Sequence, residues 1–399
     1  MNTEQFTLLL ADPSDGERYF LSGDARVVIA AVVGGDLNVA RMLAAYDALA
    51  LEYPVVSCRL VDAGKAGGYL VADAGTASSV SASDGDDYWN HVVPPVDKTR
   101  NMVRLDIVGS GRRYLVALVA HHAIWDGRLV AEVFARLWYR YADPTAEIRA
   151  PRLQHCVEQV LREHGFATVT AEEVDDVLRR RAKRYATVAL EPGCPAGRHR
   201  VRLTETVTGR VIEAAEKART SVHGILCAAI LVAERRFLGG SDALPMAIRT
   251  YVDLRDVLIP PVASAQVRNL VGSSWSQAMI APHSEILQVA VTLQEQLTRD
   301  LTGGVLGFEA ADPGRDWNPA VDVSGVSNMG VLEDLPPGDV TITDVRGFTE
   351  DGGVPPWCYF VNTYANRLSI ELVWFPDTMS ADTAQRILAE VAAQLELKR

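Results

Sequence analysis

Two imidazoles and a carboxylate stand close together in His121-His122-Ala123-Ile124-Trp125-Asp126-Gly127. Histidine is the one side chain whose ordinary pKa, about 6.5, lets it take and return a proton near neutral pH. One of these rings therefore has the chemistry of a general base that activates an attacking hydroxyl or amine. The stretch follows the apolar run Tyr114-Leu115-Val116-Ala117-Leu118-Val119-Ala120, which reads as a buried strand, and a helical pattern begins just after it. It thus occupies a strand-to-helix loop, where reactive side chains are commonly held. In the spacing His-His-x-x-x-Asp-Gly the carboxylate either braces the loop or faces a histidine, and the glycine is free to take positive φ and turn the chain.

The same residues admit plainer readings. Adjacent histidines at a strand end also serve as hydrogen-bonded core residues. A metal site is disfavoured, because neighbours on a strand point to opposite faces and no Cys-x-x-Cys or His-Glu-x-x-His supplies further ligands. No metal is expected.

His121 to Gly127 resembles the HHxxxDG signature of the acyltransferases related to chloramphenicol acetyltransferase, a superfamily that includes nonribosomal peptide condensation domains, plant acyltransferases and mycobacterial polyketide-associated acyltransferases. Further stretches agree in order along nearly the whole chain. Asp47 to Val56 looks like the helix and "hPvL" entry, with Tyr53 where a histidine is common. Ser221 to Ala229 looks like the "TvhgllaAA" helix of the second half. Val252-Asp253-Leu254-Arg255 resembles "vDLR", and Asn269-Leu270-Val271-Gly272 the "N-x-x-G" after it. Ser327-Asn328-Met329-Gly330 is similar to the "sNlG" loop of the polyketide-associated subfamily. The plant "DFGWG" signature is absent.

That resemblance implies roles position by position. His122 would be the general base that takes a proton from the acceptor as it attacks a thioester carbonyl. Asp126 would be mainly structural, paired with Arg255, whose guanidinium can bond both carboxylate oxygens. His121 and Gly127 belong to the motif, the latter permitting the turn. Asn328, or a hydroxyl such as Ser324 or Ser327, would steady the tetrahedral oxyanion and line the substrate channel. For Arg255 the plainer reading is a surface ion pair, and for Ser327 and Asn328 it is turn chemistry before Gly330. Trp125 is large for the variable part of the motif; it either narrows the channel or packs beneath the loop. His223 opens an apolar helix and reads as a packing or capping residue.

These residues need elements to hold them. Helical spacing is clear over 37–52, after the capping candidate Asp36, and again from Leu129 to Tyr141, ending before Asp143-Pro144. Leu368 to Trp374 alternates as a strand, Gly109-Ser110-Gly111 joins a strand over 103–108 to the motif strand as a hairpin, and a last helix starts near Ser380. Ser78 to Asp87 reads as a mobile serine and aspartate loop. The expected class is α/β, and the resemblance implies two chloramphenicol-acetyltransferase-like domains, each a mixed sheet flanked by helices, with an active-site channel between them. The expected division is 1–190 for the domain carrying the motif, a Pro/Gly-rich linker at 191–197, and 198–399 for the second domain, which would place Arg255 across from His122.

With 399 residues, 48% of them hydrophobic, the chain is large enough for two cores. No apolar run approaches the ~20 residues that span a bilayer, and the polar start lacks a basic signal region, so a cytoplasmic protein is expected. Five widely spaced cysteines argue for reduced thiols. A net charge of -12 argues against general nucleic-acid binding. Against that balance, Arg179-Arg180-Arg181-Ala182-Lys183-Arg184 is basic; it either docks an acidic acyl carrier protein or coenzyme A phosphates, or is a solvated helix face balanced by Glu172, Glu173, Asp175 and Asp176.

The functional expectation is an acyltransferase that moves an acyl group from a coenzyme A or phosphopantetheinyl carrier thioester, as co-substrate and with no bound cofactor, to a hydroxyl or amine of a small molecule in specialised or lipid metabolism. An acyl carrier protein or a polyketide or peptide synthase is the candidate partner. The alternatives are a free-standing condensation domain that forms an amide and a non-catalytic recruiting member of the same fold.

Overall fold

The computed structural model describes residues 15–22, 24–61, 69–72, 75–83, 88–89, 93–150, 155, 157–164, 196–264, 267–303, 323–350, 357–375 and 378–397. The basic stretch at 179–184, Cys156 and Cys194 lie outside them, as does the expected linker up to residue 195.

The first unit is built on a five-stranded sheet. Its strands are β1 (Arg26–Gly34), β4 (Ala77–Ser81), β5 (Val103–Ser110), β6 (Arg113–His121) and β11 (Thr341–Glu350), in the order β11-β1-β6-β5-β4. β6 is the strand expected before the motif, and from Leu115 onward it is buried on both faces, which is why its sequence is a continuous apolar run and not an alternating one. The hairpin from β5 is as expected, although β5 runs on to Ser110 and the turn is tighter than the sequence suggested. Gly109 makes that possible: its φ is +133, and a Cβ there would lie 2.3 Å from the Arg113 carbonyl oxygen. Ser78 to Ser81, expected in a mobile loop, instead form the edge strand β4, parallel to β5, with mostly exposed polar side chains that blunt the edge.

Two helices bracket β1 in the chain. α1 (Asp15–Ser22) comes before β1, and α2 (Val39–Glu52) follows it. The cap of α2 is Asn38, whose side chain accepts from Arg41 N, and not Asp36. The segment expected as a strand entry at 54–56 is a 3-10 turn, Pro54–Ser57, leading into β2 (Cys58–Val61), which pairs with β3 (Tyr69–Ala72). α3 (Gly127–Ala142) carries the expected apolar stripe and packs against α2, and the short α4 (Val157–Glu163) follows it in the chain. Glu52 of α2, fully buried, accepts from Arg136 Nε at 2.7 Å and from Arg140, both on α3. Burial pushes its carboxyl up, but the two guanidinium groups and the Arg149 backbone N–H outweigh that and hold it at about 2.

The second unit has a six-stranded sheet: β7 (Gly197–Arg202), β8 (Leu244–Asp253), β9 (Val271–Ile280), β10 (Gly325–Val331), β12 (Trp357–Tyr364) and β13 (Arg367–Trp374), in the order β7-β13-β12-β10-β8-β9. One face packs on α5 (Glu205–Ala218), α6 (Val222–Phe237), α7 (Ile286–Gly303) and α8 (Ala381–Leu395). Among these, α6 is apolar nearly all round and buried over Gly224–Arg235, as a central core helix must be. α8 begins after Ser380, which caps it by accepting from Thr383 N.

The units are not the two halves of the chain. Compact unit 1 comprises Met1–Thr168, Asp253–Leu270 and Leu332–Gly353, and unit 2 comprises the rest. The expected division at 190 to 198 is corrected accordingly, because β11 pairs antiparallel with β1 over nine residue pairs, Arg26 opposite Glu350 through Gly34 opposite Thr341. Among the described residues no helix is long and apolar enough to cross a membrane.

Candidate active site

The motif is pinned from both sides where β6 ends. His121 stands opposite Arg26 of β1 and its N–H donates to the Met102 carbonyl at 2.8 Å, while the His122 N–H donates to the Ala25 carbonyl at 2.8 Å. The two rings then part. His121 is fully buried and its Nδ1 accepts from Ala123 N at 3.2 Å, so it stabilises the turn that follows. His122 is half-buried.

Five groups surround the His122 ring. Asn269 Nδ2 donates to the His122 carbonyl oxygen at 2.9 Å and lies 3.3 Å from Nδ1. The Phe20 ring of α1 stacks on the imidazole, centroids 4.3 Å apart and planes 7° from parallel. The backbone carbonyls of His122 and Trp125 accept from the ring, and the charge of Asp126 lies near. Burial lowers the imidazole's affinity for a proton below its ordinary value; the carbonyls and Asp126 pull it back only in part. The result is a neutral ring at neutral pH that still has acceptors arranged to stabilise a proton once one arrives.

Asp126 does not serve His122 directly. It is the N-cap of α3, with φ -100 and ψ 177, and its Oδ1 accepts from Leu129 N at 2.9 Å. Its Oδ2 accepts from Leu270 N at 2.8 Å and from Arg255 Nη1 at 2.7 Å. Arg255 is 2% exposed, which removes the surface-pair reading. Its Nη1 also reaches Asp253 Oδ1 at 2.9 Å and its Nη2 the Val267 carbonyl at 3.0 Å. Burial raises the Asp253 carboxyl, with Asp126 adding to the rise and Arg255 opposing it. The expectation that Arg255 belongs to the opposite domain is corrected: residues 253–270 fold into the unit that holds the motif.

Gly127 is the first residue of α3 and does not use positive φ, contrary to expectation. Trp125 is fully buried with its indole N–H unpartnered among the described residues, so it packs beneath the loop.

The remaining expected residues are in unit 2. Ser324 is 1% exposed and its hydroxyl donates to Glu234 Oε2 at 3.2 Å, which commits its proton elsewhere and removes it as an oxyanion donor. Glu234 of α6 also accepts from Trp357 Nε1 and Tyr359 Oη, each at 3.0 Å, and burial pushes it up to about 7 despite those donors. Ser327 and Asn328 are half-buried on β10, just before a register shift against β12. Asn328 Oδ1 accepts from Gly330 N at 2.9 Å, and Gly330 has φ +72. The turn chemistry is therefore present, and it leaves the carboxamide NH2 as the donating end. His223 lies against Thr250 Oγ1 at 3.0 Å and Cys227 Sγ at 3.3 Å, a packed polar cluster as expected.

Sequence reasoning passed over Phe20 and gave Asn269 no role. Asn269 had a signal, since it opens the N-x-x-G stretch. Phe20 had none, because its helix is eight residues long and its partner is 102 positions away in the chain.

Residues 192–373 match the family model described as "Phthiocerol/phthiodiolone dimycocerosyl transferase C-terminus". The chain is 26% identical over 389 residues to a phthiocerol/phthiodiolone dimycocerosyl transferase of Mycobacterium bovis, covering 90% of each. Among solved structures, polyketide synthase associated protein 5 from Mycobacterium tuberculosis superposes with a TM-score of 0.78 at 23% identity, covering 98% of this chain and 97% of the other. Trichothecene 15-O-acetyltransferase from Fusarium sporotrichioides gives 0.72 at 12% identity, covering 96% and 93%.

Proposed function

We propose that this chain is a member of the HHxxxDG acyltransferase superfamily and that it moves an acyl group from a thioester to a hydroxyl of a small lipid or polyketide alcohol, with His122 as general base. The observation that carries the reading is the division of labour in the loop. Asp126 has both oxygens engaged by Leu129, Leu270 and Arg255, and His121 is engaged by Ala123. His122 alone presents a half-buried, neutral ring.

The chemistry follows from that ring. The Nδ1 side faces Asn269 and the backbone, so Nε2 takes the proton from the acceptor hydroxyl as its oxygen bonds to the thioester carbonyl carbon. The imidazolium is stabilised by the carbonyls of His122 and Trp125 and by Asp126. When the tetrahedral intermediate collapses, the carbon–sulfur bond breaks and the same proton goes to the leaving thiolate, restoring the neutral ring. No covalent acyl-enzyme is needed. The oxyanion role is given to Asn328 by the resemblance alone, and its carboxamide NH2 is the end that suits it.

The donor is read as an acyl-coenzyme A or acyl-carrier thioester, and the hydroxyl acceptor is favoured by the relatives' names, which set dimycocerosyl transfer on phthiocerol and phthiodiolone. The test is acyl transfer followed by mass spectrometry, with a panel of acyl-coenzyme A and acyl-carrier thioesters and mixed alcohols and amines. Ester formed by the wild type, and lost by about 10²-fold or more in His122→Ala, is the expected result. Equal product from both proteins would overturn the assignment.

A further inference from the structure

The helix α1 is eight residues long, too short to hold itself in place, so its position depends on tertiary contacts. One such contact is unusually strong for so short an element. Glu17 accepts from Arg268 Nε at 2.6 Å and from Arg268 Nη2 at 3.0 Å, a two-pronged pair with both residues at most 2% exposed. Glu17 and Phe20 are three positions apart and therefore share a face of the helix. Arg268 is followed at once by Asn269, which holds the His122 carbonyl and reaches Nδ1. Two consecutive residues thus fasten the helix that covers the imidazole and the backbone that carries it.

We propose that Phe20 is a positioning residue for the general base: its ring, stacked on His122, fixes the plane of the imidazole and keeps water from one face, and the Glu17–Arg268 pair fastens the helix that presents it. The inference rests on the reading of His122 as the base. A face covered by a phenyl ring desolvates the charged form more than the neutral one, in the direction that burial already imposes on His122. Charged groups near the ring include Asp126 as the N-cap of α3, Asp253 at the end of β8, Arg255 just after it, Arg268 before Asn269, and Glu17 on α1 itself; each of these three carboxylates has an arginine against it.

The experiment is a pH titration of histidine carbon-13 resonances in the intact protein, the His122 signal being identified by its absence from His122→Ala. In the wild type His122 should titrate below about 6.5. Phe20→Ala should move it up toward that value, and Glu17→Gln should move it the same way by less. Phe20→Leu, which keeps an apolar cover without the flat ring, is the milder variant and should shift it upward by a smaller amount. The other histidines report that the fold is intact. A His122 titration unmoved in Phe20→Ala and Phe20→Leu would overturn the proposal. The titration needs no substrate, so the two readings fail separately: a shift in Phe20→Ala with full transfer by His122→Ala sinks the base and leaves the clamp, while the reverse pair of results sinks the clamp and leaves the base.

Discussion

His122 and His223 are both half-buried imidazoles, and burial pushes both toward the neutral form, yet their surroundings differ in kind. For His223 burial is the sole cause, and it lowers the ring to about 4. Its neighbours Thr250 and Cys227 are neutral, and burial holds the Cys227 thiol up at about 12, so no charge is available to help. For His122 two backbone carbonyls and Asp126 oppose burial. Burial alone makes a histidine inert; acceptors aimed at the ring are what keep a desolvated histidine useful as a base near neutral pH.

The sharpest way to break this contrast is to remove each ring in turn. His122→Ala should lower acyl transfer by about 10²- to 10⁴-fold, the range of a lost general base. His223→Ala should leave the rate within a few fold, measured with the same thioester and alcohol. A comparable loss in both would mean that the His223 cluster is part of the chemistry.

The carboxylates repeat the contrast one step down in size. Asp126 is held by a guanidinium and two backbone N–H groups, and Glu234 by an indole, a phenol and a hydroxyl, all neutral. Asp126→Ala leaves Arg255 with Asp253 as its remaining carboxylate partner and uncaps α3, so a loss of about 3–5 kcal/mol is expected in denaturant unfolding. Asp126→Asn, which can still cap the helix, should cost less. A small stability loss with abolished transfer in Asp126→Asn would mean that the carboxylate acts on the reaction through its charge.

Much of this was legible in the sequence because it is local. The loop sits between a run that only a doubly buried strand would have and a helix whose first cap is the motif's own aspartate; strand, loop and cap are fixed by neighbours within about four residues. Arg255 opposite Asp126 came from the resemblance and not from spacing, since 129 positions separate them. What was not legible is what depends on topology. No periodicity tells that Thr341–Glu350 leaves the second half to pair with β1, or that residues 253–270 fold back onto the motif. Phe20 was missed for the same reason, since its partner is set by where a short segment returns; Asn269 was visible in its N-x-x-G stretch, but its role depends on that same return. Ser324 was misjudged because a serine before a strand looks the same whether its hydroxyl faces a substrate or a buried glutamate.

The two polar clusters of unit 2 also oppose each other in pH. Glu234 binds a proton more tightly when folded, at about 7, than at its ordinary 4.5. It therefore contributes stability that is complete below about 4.5 and is lost as pH rises through about 7, on the order of 3 kcal/mol in all. Glu234→Gln should flatten that part of the stability curve, so that the difference from wild type shifts in the variant's favour as pH rises across this window. His223 has the other sign. Its proton is held more loosely when folded, so its contribution is present above about 6.5 and is lost as pH falls through about 4. His223→Gln should shift the difference in the variant's favour as pH falls, and by less than the glutamate effect, because the ring is half-exposed and solvent screens it. Between about 4.5 and 6.5 the two slopes partly cancel in the wild type. Unfolding midpoints taken in that window should move less for the wild type than for His223→Gln, and should tilt in opposite directions in the two single variants; parallel tilts would show that the two clusters do not hold their protons as their surroundings imply.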